Sequence, residues 1–201
     1  MQQNLVILAC SIFKYELEQL VKEGKITVPI VYLNSMLHMH PKQLQTLLDA
    51  KIEEYKNFRI ILIFGDCHAR MIDYEENKNI VRTPGINCCE ILLGKQKYRK
   101  IRKDGAFILL PEWSERWKEV FIDSMGFKTS KAIKPFMAEM HEKIVYVDNG
   151  LVEKNKPLLS EISDFLGLPL EIYPSTTTEL ETVIQSLIEQ SNSPEKQEDG
   201  R

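Results

Sequence analysis

Continuous apolar runs alternate with amphipathic ones along almost the whole chain. Residues 5–9 (Leu-Val-Ile-Leu-Ala) read as a first strand. Ile12, Phe13, Leu17, Leu20 and Val21 then recur at helical spacing until Gly24 ends the pattern. Residues 27–33 read as a second strand, with Pro29 confining it to an edge or to an early position. Pro41 opens a helix carrying Leu44, Leu47, Leu48, Ile52 and Tyr55. Residues 59–64 (Arg-Ile-Ile-Leu-Ile-Phe) form the clearest strand, and their unbroken apolarity demands cover on both faces, as in a parallel sheet. Further strands are expected at 79–83, 106–110, 143–148 and 169–174. Helices are expected from Asn87 to Gly94, over 113–142 with a break near Gly126, over 156–166 and over 179–189. A Thr176–Glu179 capping box precedes the last of these.

Strands alternating with helices predict an α/β fold: a mostly parallel sheet flanked by helices in a three-layer sandwich, with right-handed crossovers. The pattern spans residues 1–190 as one domain, and the polar stretch 191–201 reads as a disordered tail.

Composition narrows the functional classes. The chain has 201 residues, 43% apolar and 27% charged, which suits a globular domain with a real core. A net charge of -3 supplies no global basic field for nucleic acid or an anionic membrane. No apolar run is long enough to span a bilayer, and Met1-Gln2-Gln3-Asn4 does not open a secretory signal, so a cytoplasmic protein is expected. In a reducing compartment the four cysteines are small core residues, metal ligands or reactive thiols rather than structural disulfides.

In open parallel sheets ligands gather beyond the carboxyl ends of the strands. Cys10 follows the first strand, and His38 and His40 follow the second. Asp66, Cys67 and His68 follow the third, and Cys88, Cys89 and Glu90 the fourth. Asp148 follows the sixth, as a turn former or as a hydrogen-bond partner of a ligand. Every cysteine and every histidine except His141 therefore falls on a strand exit. Thiolates with imidazole suit zinc or an iron–sulfur cluster, and Cys10, His38, Cys67 and Cys88 form the expected ligand set. His68 and Glu90 are the expected proton-transfer groups. Cys88 stands at an expected helix start, where free N–H groups favour a thiolate; it is thus also a candidate redox or persulfide-carrying nucleophile. Adjacent helical residues diverge by about 100°, so Cys89 is expected in packing.

Six of the nine residues from Lys95 to Lys103 are Lys or Arg, reading as a solvated helix face or as a dock for an anion or an acidic partner. Trp113 and Trp117, at helical spacing, read as core. Phosphate-binding, dinucleotide-binding and nucleophile-elbow motifs are missing, which removes weight from nucleotide hydrolysis, nicotinamide chemistry and α/β-hydrolase chemistry.

Several segments occur in a recognisable order: Ile7-Leu8-Ala9-Cys10, Leu37-His38 with Pro41, Gly65-Asp66-Cys67, Asn87-Cys88 leading to Leu92-Leu93-Gly94, Tyr98, and Phe107 leading to Pro111 and Trp113. In this the chain resembles domain-of-unknown-function family 1638 (DUF1638) from residue 5 to about residue 148. Members occur in anaerobic bacteria and methanogenic archaea, often beside genes for corrinoid-dependent methyltransferases. The resemblance implies a small thiol or methylated substrate in one-carbon metabolism, with a corrinoid protein or a methyltransferase as partner. An accessory or metal-delivery module for a methyltransferase is the non-enzymatic counterpart. The matched positions are Cys10, His38, Cys67 and Cys88. Ile86-Asn87 stands where the family commonly has His-Asp, and Thr83-Pro84 where it has Pro-Arg.

Overall fold

The computed structural model describes residues 4–192. Seven strands lie in two sheets, every pairing parallel. The first sheet holds β1 (Leu5–Cys10), β2 (Ile30–Leu33), β3 (Arg59–Ile63) and β4 (Ile80–Arg82) in the order β2-β1-β3-β4. The second holds β5 (Ala106–Leu109), β6 (Lys143–Asp148) and β7 (Leu170–Pro174) in the order β5-β6-β7. The helices are α1 (Lys14–Lys22), α2 (Pro41–Glu54), α3 (Cys88–Leu93), α4 (Lys95–Lys103), α5 (Pro111–Glu115), α6 (Ser130–Met140), α7 (Lys156–Leu166) and α8 (Thr178–Asn192).

The parallel α/β class follows from the sequence pattern, but the strands divide between two sheets where a single sheet was expected. Residues 191–192 close α8, with Ser191 buried, and the remainder of the expected tail lies outside the described residues. The expected helix over 113–142 is α5, a π-helical segment Glu119–Ser124 and α6, separated around Gly126.

The two sheets share one apolar core. Ala106, Ile108, Val145 and Val147 pack into the cluster that contains Ile7, Leu8, Ile61 and Leu62. The alternate positions Leu109, Ile144 and Tyr146 face the other way, into a second cluster with Trp117, Phe121, Ile133 and Ile162. Strand alternation thus seats the second sheet between the first sheet and its own helices. All of β1 after Leu5 is buried, as its continuous apolarity requires.

The order β2-β1-β3-β4 fixes where a ligand can sit. The chain leaves β1 to one side, forms β2, then crosses back to form β3 on the other side of β1. The exits of β1 and β3 therefore diverge and open a crevice at their carboxyl ends. Cys10 ends β1, and Cys67 lies four residues beyond β3.

Candidate functional site

A cavity of about 220 Å³ opens at this crevice. Its floor and first wall come from strand exits of the first sheet: Cys10, His38, Phe64, Cys67, Cys88 and Cys89. The opposite wall comes from α4, β5 and α5: Tyr98, Arg102, Phe107, Ile108, Leu110 and Trp113. The lining is mostly apolar, the setting in which a few polar atoms determine binding and chemistry.

Four side chains predicted from the strand exits line this cavity together: Cys10, His38, Cys67 and Cys88. In the row His38–Cys67–Cys88–Cys10 each lies near enough to its neighbour to shift an ionisation. Their ionisation is uneven. The hydrogen bond from Cys88, then the His38 bond and charge and the Gly65 backbone, outweigh burial and pull the Cys67 thiol from 9.0 down to about 5. Cys88 is pushed the other way, well above the ordinary thiol range, by its bonds to Cys10 and Cys67 and by burial. The electrostatics of the row thus favour the thiolate at Cys67 and the neutral thiol at Cys88. His38 is raised chiefly by the same Cys67 contact. Helix-start position alone favours Cys88 as the activated thiol; the shifts of the two thiols favour Cys67.

The convergence rests on a backbone close approach. A Cβ added to Gly65 would lie 2.4 Å from the Asn87 Cα and 2.9 Å from its N and C atoms, so only glycine lets the two exits meet. The Asp66 N–H donates to the Ile86 carbonyl at 3.0 Å and locks that approach. Asn87 then caps α3, its Oδ1 accepting from the Glu90 N–H at 2.9 Å, while its Nδ2 donates to the Tyr98 hydroxyl at 2.8 Å. Thr83 is fully buried and donates its Oγ1 hydrogen to the Phe64 carbonyl at 3.0 Å. Asn87 and Thr83 both support the backbone around the thiols.

The His38 loop is braced from the second half of the molecule. Ser35, 1% exposed, donates its hydroxyl to Glu112 at 2.7 Å, and its N–H donates to the Ser11 hydroxyl at 2.9 Å. Arg116 donates to Asn34 Oδ1 at 2.7 Å and lies 3.3 Å from Glu112. The Trp113 ring stands 5.7 Å from the His38 ring. Glu112, Trp113 and Arg116 were not found among the candidates; Trp113 read as core, although it follows the β5 exit and obeys the same rule as the cysteines. Trp117 does lie in the core.

The other expected site residues stand apart from the row. His68 is 7% exposed and faces Tyr74; its Nδ1 accepts from the Arg70 N–H at 3.3 Å, and burial lowers its basicity. The turn after Cys67 points it away from the cavity, so it is not placed for proton transfer there. Glu90 accepts from the Ile86 N–H at 3.4 Å and completes the cap of α3, a structural position rather than a catalytic one. His40 precedes α2 at the surface, and Asp148 accepts from the Gly150 N–H at 3.1 Å as a turn former. Cys89 also lines the cavity, outside the row, its thiol raised by burial to about 12. Along the cavity mouth, α4 keeps its cations exposed; Lys97 pairs with Glu179 at 3.3 Å.

Among the described residues, no three His, Cys, Asp or Glu side chains are grouped so that one metal ion could be held by them. No helix of the described residues is long and apolar enough to cross a membrane. No curated protein and no solved structure matches the chain. A family of conserved sequences does: residues 32–184 match the family described as Protein of unknown function (DUF1638), and the chain belongs to it.

Proposed function

We propose that the cavity binds a small, largely apolar molecule and that Cys67 reacts with it as a thiolate. The single observation carrying this reading is the placing of His38, Cys67, Cys88 and Cys10 along one cavity, where the Cys67 thiol is pulled down to about 5. A thiolate is the nucleophilic form of cysteine, and an apolar lining strengthens its attraction to soft electrophiles. A methylated compound in corrinoid-linked methyl-group metabolism, whose methyl carbon a thiolate can attack with departure of the group that carried it, is the substrate class; a small thiol suits the metal-bound reading below. His38 orients and stabilises the thiolate and holds the proton that a departing group would take. The test is peptide-resolved alkylation by iodoacetamide at neutral pH. Cys67 is expected to react first, at least about tenfold faster than Cys88 or Cys89. Equal rates at all three would contradict the reading.

A second reading makes Cys10, His38, Cys67 and Cys88 ligands of zinc or of an iron–sulfur cluster. It is favoured by the donor set, since three sulfurs and an imidazole lining one cavity suit either group. No three of them are grouped to hold one ion, so loading would require the side chains to move closer together. When bound, such a group would hold a substrate thiol as its thiolate. Protein purified without oxygen should then carry roughly one equivalent of metal or cluster that shields Cys67 from alkylation. Less than about a tenth of an equivalent, with Cys67 freely alkylated, leaves the thiolate reading alone.

A further inference from the structure

Thiolates that work with a thiol neighbour can do more than attack once. We infer that Cys67 and Cys88 form a dithiol, with Cys67 as attacking sulfur and Cys88 as resolving sulfur, that reduces a small organic disulfide. The inference rests on the reading of Cys67 as the reactive thiolate and adds a second sulfur, a reaction and a substrate class to it.

The geometry that carries it is in the backbone as much as in the sulfurs. The Gly65–Asn87 close approach and the Asp66–Ile86 hydrogen bond of 3.0 Å bring the chain into contact two residues before Cys67 and one residue before Cys88. Side chains leaving such closely paired segments meet without backbone movement, which a disulfide requires. Both sulfurs line the same cavity, and Cys88 is the cysteine that acts on the ionisation of Cys67.

The cavity selects the oxidant. At about 220 Å³, with Phe64, Phe107, Leu110 and Trp113 in its wall, it admits a small apolar molecule and excludes the disulfide of a folded protein. A low-molecular-weight disulfide is a soft electrophile of that size.

The reaction balances with groups in place. The Cys67 thiolate attacks one sulfur of RS–SR, forms the mixed disulfide Cys67–S–SR and releases RS⁻, which takes the His38 proton and leaves as RSH. The Cys88 thiol then attacks the Cys67 sulfur of the mixed disulfide. The Cys67–Cys88 disulfide forms, the second RS⁻ departs, and the Cys88 proton goes with it. Two electrons pass from the protein dithiol to the substrate, which leaves as two thiols.

The test uses bis(2-hydroxyethyl) disulfide as probe on the full, reduced, metal-free chain, read by mass spectrometry and non-reducing peptide mapping. Wild type should lose two hydrogens and yield a peptide joining Cys67 to Cys88, with no lasting adduct. Cys88→Ser should stop at one hydroxyethylthio adduct on Cys67. An adduct on Cys67 that persists in wild type overturns the dithiol and leaves the thiolate reading standing. A cross-link between Cys10 and Cys88 also overturns it. No modification of Cys67 in wild type or in Cys88→Ser overturns both.

Discussion

The two sheets are built alike and used differently. Both are parallel, and both have strands buried by alternating or continuous apolar residues. In the first sheet the exits carry sulfur and imidazole, and each of the four exits delivers a side chain to one cavity. In the second, the β5 exit carries Glu112 and Trp113 and the β6 exit carries Asp148 and Asn149; these brace loops and line a wall. Chemistry comes from one half and shape from the other. The difference lies in strand order: β2-β1-β3-β4 reverses direction and opens a crevice, whereas β5-β6-β7 proceeds one way.

The most disruptive way to break the contrast is to separate the first sheet's exits. Gly65→Val places a side chain against the Asn87 backbone, which cannot yield as a flexible side chain would. It is expected to cost on the order of 3 kcal/mol or more in denaturant unfolding and to slow Cys67 alkylation by at least about tenfold. A Gly65→Val protein with wild-type stability and wild-type alkylation would show that the close approach does not build the site.

The seam between the halves gives the next effect. Glu16 of α1 is 1% exposed; its Oε1 accepts from Asn149 Nδ2 at 2.6 Å, and its Oε2 has no hydrogen-bond partner. Burial raises its carboxyl from 4.5 to about 7. The folded state therefore binds this proton more tightly than the unfolded chain does. Stability is fully present below about pH 4.5 and falls as pH rises to about 7, where the loss levels off. The loss attributable to this group amounts to about 3 kcal/mol. Glu16→Gln should remove that segment of the pH–stability curve, measured by urea unfolding from pH 5 to pH 8. A curve unchanged by the substitution would place the pH dependence elsewhere.

Bracing of the His38 loop sharpens the contrast on a smaller scale. Glu112→Ala leaves the buried Ser35 hydroxyl without its acceptor and frees Arg116 from one of its two carboxylates. A loss of about 1–2 kcal/mol is expected, together with a severalfold drop in Cys67 alkylation as His38 loosens. Glu112→Gln, which keeps an acceptor for Ser35, should recover most of the alkylation rate. Loss of stability with no change in alkylation would limit Glu112 to a structural role. Smallest of all is a cut in the second half away from the cavity. Lys118 and Glu161 form an exposed pair at 2.9 Å, and Lys118→Ala should change stability by under about 0.5 kcal/mol and alkylation not at all.

Much of this was legible in the sequence, for reasons that can be located. Unbroken apolarity in residues 59–63 and 5–10 announced parallel strands, and the rule that ligands gather at strand exits then selected Cys10, His38, Cys67 and Cys88. Local chemistry announced helix ends such as Pro41, Asn87 and Gly94. What stayed hidden depended on pairing. Nothing in the composition of residues 106–110 tells that β5 joins a separate sheet, because strand order is set by tertiary packing. His68 adjoins Cys67 in sequence, yet the turn after Gly65 sends the two side chains apart. The lowering of the Cys67 thiol and the raising of Cys88 depend on neighbours in space, which sequence order does not supply. Cys10 lies before the matched residues 32–184, so the family match alone covers three of the four members of the row.

The most direct measurement is the pH dependence of Cys67 alkylation by iodoacetamide, followed peptide by peptide. Thiolate fraction sets the rate, so a thiol held by His38 and Cys88 should lose reactivity only as pH falls through about 5, giving a flat profile from pH 6 to pH 9. A rate that instead climbs through that range with a midpoint near 9, the ordinary thiol value, would contradict the Cys67 thiolate on which the account stands.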